Sequence, residues 1–132
     1  TRGPQEVYQT SPSFRFTLQN GVVSAFRTGL QWAERDNGTD ISWSDAKVYC
    51  ENYKGGGFSD WRLPTHTEIL GLYKAGIRCK HRNIINISAC GLWADSLGSK
   101  TAYVFGFSYG GWGWAYKSRS KDYRALPVRS GK

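Results

Sequence analysis

No methionine occurs among the 132 residues, and histidine appears only twice and proline four times. No apolar run approaches the roughly 20 residues a membrane helix needs, which excludes a helical span. The two histidines, His66 and His81, leave little for nucleophilic chemistry. A triad needs a nucleophile, a base and an orienting acid, and neither histidine sits in such a pattern. His66, in the first turn of a predicted helix, reads as a surface residue. Acidic residues are scarce in one half only. Residues 71–132 carry two, Asp95 and Asp122, against eleven Lys/Arg, a net of +9. Residues 1–70 carry eight against seven, a net of −1, so the formal charge of +8 comes entirely from the second half. Nothing places Asp95 and Asp122 together as the carboxylate pair of an acid–base enzyme. The expectation is a non-enzymatic chain without cofactor. Solubility does not require one-sided charge, so an anionic partner is expected there.

Cysteine is sparse as well. Cys79 and Cys90 lie eleven positions apart and flank an irregular segment, and in an exported chain a disulfide closing it is the natural reading. Zinc is the alternative; it needs a fourth ligand, for which His81 is the nearest candidate. No metal site is assigned. Cys50 falls on the apolar side of a helical pattern and is expected to be a buried free thiol. No leader segment is read at the start, as expected of a mature chain or an excised domain.

Aromatics and glycine are abundant: six Trp, eight Tyr, six Phe and sixteen Gly. That suits one turn-rich domain, large enough to bury a core. The stretch 55–65 organises it. Three glycines end one helical pattern and Pro64-Thr65 opens another, with Phe58, Trp61 and Leu63 between them. Trp61 is expected to plug the core, with Asp60 and Arg62 tying down backbone or each other beside it.

Residues 1–13 read as a tail or stalk remnant; its Gly3-Pro4-Gln5 triplet would suit the end of a collagen-like stalk. The domain proper is expected over 14–132. Phe14, Phe16 and Leu18 alternate, Asn20-Gly21 turns, and Val22, Val23 and Phe26 follow, which predicts a hairpin. A short strand is expected at 28–32. Ser42 caps a helix carrying Ala46, Tyr49, Cys50 and Tyr53 on one face, running to Gly55. Thr65 and Glu68 form a capping box for a second helix, with Ile69, Leu72 and Tyr73 inward and Gly76 at its end. Residues 77–91 read as an irregular loop. Strand-like sequence begins at Leu92, aromatics recur at period two from Tyr103 to Tyr109 and from Trp112 to Tyr116, and 123–129 is the closing strand, with an edge or bulge at Pro127. Strands, two helices, a long loop and strands again predict an α+β fold with antiparallel sheet.

In order along the chain stand Thr28-Gly29-Leu30-Gln31-Trp32, then Trp43, Ala46 and Tyr49-Cys50. There follow Gly56-Gly57-Phe58-Ser59-Asp60-Trp61-Arg62-Leu63-Pro64-Thr65 with Glu68, then Trp93-Ala94-Asp95-Ser96 and Pro127-Val128-Arg129. This series resembles the domain at the C-terminus of the legionella collagen-like adhesin, and the likeness covers nearly everything after residue 27. It implies a C-type lectin-like fold borne by a secreted or cell-surface bacterial protein. In the collagen-stalk members it implies homotrimers that bind sulfated polysaccharide. Many relatives carry a cysteine after the closing Val-Arg, where this chain has Ser130. The Glu-Pro-Asn or Gln-Pro-Asp motif of calcium-dependent lectins is absent, and the paired cysteines of the related formylglycine-generating enzymes have no counterpart.

Binding therefore has the stronger case. Arg78, Lys80 and Arg82 surround His81 within five residues, beside the expected disulfide. Lys117, Arg119 and Lys121 alternate with serines, and Arg124 follows; Lys74, Lys100 and Lys132 extend the field. Guanidinium forks and lysine point charges suit sulfate and carboxylate on a glycosaminoglycan-like polyanion or another host-surface ligand. Nucleic acid would satisfy the same charges, but no nucleic-acid motif is present. A second reading competes. Residues 103–123 hold four Tyr, three Ser, four Gly and two Trp, close to an antibody paratope. They could bind a protein, as in diversified lectin-like receptor-binding proteins. Phe105, Phe107 and Trp114 are expected in the core, with Trp112 and Tyr116 the exposed contacts.

Overall fold

Asn20 and Gly21 take positive φ of 56° and 76°, the backbone that a two-residue hairpin turn demands. They join β2 (Phe14–Gln19) to β3 (Val22–Ala25) in antiparallel register, Leu18 opposite Val23. The computed structural model describes residues 6–11 and 14–131, with side chains from residue 16 onward; the Gly3-Pro4-Gln5 triplet and Lys132 lie outside them. Within the expected tail, Glu6–Ser11 form strand β1 on the outer side of β2. Backbone pairing at an edge needs no side-chain periodicity, so no pattern announced it.

β4 (Gln31–Ala33) continues the first sheet, and β9 (Val128–Arg129), from the chain's far end, closes it in the order β1-β2-β3-β4-β9. The second sheet runs β7-β6-β5-β8, from β5 (Gly91–Ser96), β6 (Thr101–Gly106), β7 (Gly111–Tyr116) and β8 (Tyr123–Arg124). Two departures from expectation follow. There are two sheets rather than one, and β8 pairs parallel to β5. The closing segment also splits, because Pro127 has no N–H to donate. Its carbonyl instead accepts from Ala33 N–H at 3.0 Å, and the chain crosses there from one sheet to the other.

Helix α1 (Trp43–Asn52) starts at Ser42, whose hydroxyl accepts from Asp45 N–H. It ends at Asn52, and Gly55–Gly57 form a separate 3₁₀ turn. Helix α2 (His66–Lys74) has the complete capping box: Thr65 Oγ1 accepts from Glu68 N–H, and the Glu68 carboxylate accepts from Thr65 N–H at 2.9 Å. Gly76, at φ 101°, ends it, with the Gly76 N–H on Tyr73 O and the Ile77 N–H on Leu72 O, the paired bonds of a Schellman stop. Among the described residues no helix is long and apolar enough to cross a membrane.

Opposite faces of the second sheet bury different cores. Leu92, Ala94 and Phe105 join α2 and the first sheet, with Phe16, Trp32 and Ile69. Trp93, Ala102, Val104 and Ala115 face α1, meeting Ala46 and Cys50. The segment 77–91, irregular in sequence, feeds the first core with Ile77, Ile84, Ile85 and Ile87. Cys79 and Cys90 are bonded, with Cα atoms 5.1 Å apart, so neither thiol is left for a metal; Cys50 is free and buried.

Candidate ligand-binding surface

The 55–65 stretch is the frame on which the surface is held. Trp61 is 3% exposed, its indole N–H donates to Gly55 O at 3.1 Å, and its ring meets Tyr53 edge-on. Asp60 and Arg62 do not pair with each other. Asp60 takes both prongs of the Arg129 guanidinium, and Arg62 takes both oxygens of Glu68 at 2.9 Å. Burial pushes the Glu68 carboxyl upward, but the bonds from Arg62 and Thr65 outweigh it and hold its pKa below the ordinary value. Arg129 also donates to Gln31 and lies over the Phe58 ring. The stretch is thus pinned to the last strand of the first sheet and to the start of α2.

At the N-terminus of α2, His66 is held by Asp95. Its backbone N–H and its Nδ1 both lie 2.9 Å from Asp95 Oδ1. The ring is not the surface residue expected. It stacks on Tyr103 at 3.9 Å and meets the edge of Trp112 at 4.9 Å. Beyond it β7 forms the free edge of the second sheet. Trp112, Trp114 and Tyr116 all point outward from it, 50%, 58% and 59% exposed. Trp114 was expected in the core with Phe105 and Phe107, and only those two are buried. The inward face of β7 carries Gly111, Gly113 and Ala115, because Tyr109 lies across the glycines and Ala115 fills the narrow space over the second core. The period of two then puts the large ones on the face of Tyr103 and Phe105, where the edge position of β7 leaves them largely exposed.

The aromatic row ends at a cationic cleft. Thr101 pairs with Tyr116, and one step further the Lys117 N–H donates to Lys100 O at 2.8 Å, so the two lysines are cross-strand neighbours. With Tyr116, Ser42, Ser44, Ser99 and Ser118 they line a cleft of about 400 Å³ that no carboxylate lines. The Lys117 ammonium sits 4.3 Å over the Trp43 ring and 3.4 Å from Ser99 O.

The other nominated cations divide. Arg78 is turned inward: it donates to Tyr73 O and Ile77 O and covers the Tyr73 ring at 3.8 Å. Arg124 is paired with Asp40 and donates to Ser88 Oγ. Both are tied into the fold, because main-chain carbonyls lie within reach of Arg78 and a carboxylate within reach of Arg124. Lys80, His81 and Arg82 are exposed and share a groove with Arg35, but Glu34 and Asp36 also line it. Arg119 lies 5.7 Å over the Tyr123 ring, and Lys121 is exposed in the same turn. The structure therefore joins Lys117, Trp112 and Tyr116 in one surface, adds Trp114 and Lys100, and leaves the 80–82 cluster separate. Among the described residues no three His, Cys, Asp or Glu side chains converge as a metal site.

Residues 21–129 match the family of the Lcl C-terminal domain, which is most of the chain. No curated protein matches it.

Proposed function

Since this chain belongs to the Lcl C-terminal domain family, we propose that it is a non-enzymatic, extracellular adhesin-type domain that binds a polyanionic, glycosaminoglycan-like glycan. The paired-lysine cleft carries this reading. Lys100 and Lys117, just beyond the paired ends of β6 and β7, line one cleft with serine hydroxyls and without a carboxylate. Two ammonium-bearing side chains beside hydroxyl donors suit a bound sulfate or carboxylate. The neighbouring Tyr116, Trp114 and Trp112 supply flat apolar faces on which sugar rings can stack, running along the strand away from the charges. The bonded Cys79–Cys90 pair supports an oxidising location. The two-helix, two-sheet arrangement is compatible with a C-type lectin-like fold, which we propose with the family, together with trimeric display that would raise weak contacts to useful avidity.

Heparin binding measured at low and high salt tests the proposal. Affinity should fall steeply with salt and should drop both in Lys100→Glu with Lys117→Glu and in Trp114→Ala. A ligand whose binding ignores salt and the lysines but needs Trp112 and Trp114 would mark the aromatic edge as a protein-binding face instead.

A further inference from the structure

Among the described residues, β7 is the one long and regular sheet edge left without a neighbour. It ends the second sheet, and its register with β6 is unbroken from Thr101–Tyr116 to Gly106–Gly111. The other sheet ends are blunted: β1 has a register shift between Gln9 and Ser11, and β8 and β9 are two residues each. Proteins ordinarily guard an edge with a charge, a proline, a bulge or shortness. Gly111-Trp112-Gly113-Trp114-Ala115-Tyr116 has none of these.

Two bonds fix which backbone groups of this edge are open. Lys117 N–H donates to Lys100 O, so residues 115, 113 and 111 also turn toward β6. On the far side of β6, Phe107 N–H donates to Cys90 O, which leaves the even-numbered residues of β6 facing β7, in agreement. Trp112, Trp114 and Tyr116 therefore direct N–H and C=O away from the sheet. Of these groups, the Tyr116 carbonyl accepts from Arg119 N–H at 3.0 Å, and no described backbone group meets the others.

A strand that joins this edge must match its side chains as well as its bonds. We infer that the partner is β7 of a second copy of this chain, laid antiparallel with Trp114 on a twofold axis. Trp114 then exchanges both bonds with Trp114 of the second copy, and Trp112 pairs with Tyr116 of the second copy. On one face every cross-strand pair is aromatic, a favourable pairing. On the other, Gly113 meets Ala115, small against small. Charge selects the same arrangement. Antiparallel pairing keeps the Lys100–Lys117 ends of the two copies at opposite ends of the joined sheet, whereas parallel pairing would lay them side by side. The contact uses the same patch on both copies and so closes on itself. It joins two heads directly and needs neither a stalk nor a glycan.

Sedimentation velocity of the whole chain without glycan tests this. The weight-average mass should double from its dilute value as concentration rises, and high salt should not weaken the doubling. Trp114→Pro removes the ring and an outward N–H but none of the bonds to β6, so the chain should fold and no longer double. Cysteine variants in a glutathione buffer read the register, with the buried Cys50 silent. Trp114→Cys should cross-link two chains, because the paired Cα atoms would lie about 5.5 Å apart. Trp112→Cys alone should not, since its two copies would be roughly 13 Å apart, but Trp112→Cys combined with Tyr116→Cys should. The inference is overturned if the mass keeps its dilute value up to about 1 mM, the weak end of binding. It is overturned equally if folded Trp114→Pro still doubles, or if Trp112→Cys cross-links as well as Trp114→Cys. If Trp114→Pro does not fold, the parent's mass and the cysteine variants decide the matter. Heparin binding by the parent is a separate measurement, so failure of the glycan reading leaves these outcomes untouched.

Discussion

Asp60 and Arg129, 69 residues apart, are joined by two hydrogen bonds: Nε to Oδ1 at 2.6 Å and Nη2 to Oδ2 at 3.1 Å. Arg129 is buried and Asp60 is open to solvent, so the pair plugs the end of the first sheet with a charge that has one wet partner. The Arg129 hydrogen bond holds the Asp60 carboxyl below the ordinary carboxylate range. Its contribution to stability is therefore fully present above the unfolded value of about 3.9 and is lost as pH falls through the lower folded value. Asp60→Asn should lower the melting temperature at pH 7, and its deficit against the parent should shrink below about pH 4. A deficit that is constant with pH would show that the pair is not electrostatically coupled. Arg129→Ala, which also strips the cover from Phe58, should lower the urea midpoint further than Asp60→Asn does.

Trp61 is buried between Tyr53 and the glycine turn. Trp61→Ala should cost on the order of 3–5 kcal/mol, the range for deleting a large buried aromatic. Trp61→Phe should cost less, since it keeps the edge-on contact with Tyr53 and loses the hydrogen bond to Gly55 O. An unchanged denaturation midpoint in the alanine variant would remove this residue from the framework.

Burial, aided by the Glu51 carboxylate, pushes the Cys50 thiol well above the ordinary cysteine value, and only a thiolate reacts readily. Titration of the native, unreduced chain with a thiol reagent at pH 8 should find essentially no reactive group. After denaturation it should find one per chain. Three would mean that Cys79 and Cys90 are not bonded.

Two charge reversals rank the cationic surfaces. A single exposed ion pair is worth roughly 0–1 kcal/mol, so reversing two cooperating lysines should weaken heparin binding about tenfold or more. Lys100→Glu with Lys117→Glu should lose more affinity than Lys80→Glu with Arg82→Glu, because Glu34 and Asp36 already share the latter groove. The slope of log affinity against log salt should fall by nearly one per lost contact, by analogy with counterion release from nucleic acids. The opposite ranking would move the anion site to the 80–82 loop.

The features legible in the sequence were those whose cause is local. Asn20-Gly21, the Ser42 cap, the Thr65–Glu68 box and the Gly76 stop each act through backbone within a few residues of themselves, so their residue types announce them. The Cys79–Cys90 bond closes a span short enough to be read the same way. What tertiary structure decided was non-local. Residue identity alone gives Asp60 and Arg62 equal claims on each other, but the chain reversal into β9 brings Arg129 to Asp60 and leaves Arg62 to Glu68. Period two in 112–116 fixes that three aromatics share a face, not which way that face points. The glycine–alanine face over the second core turned the aromatics to the side of Tyr103 and Phe105, and the edge position of β7 left them largely uncovered. Charge counting could not separate Arg78 and Arg124, spent on carbonyls and on Asp40, from Lys100 and Lys117, which meet only because β6 and β7 pair. An ion's availability depends on what the fold places within about 4 Å of it, and that distance is not written in the order of residues.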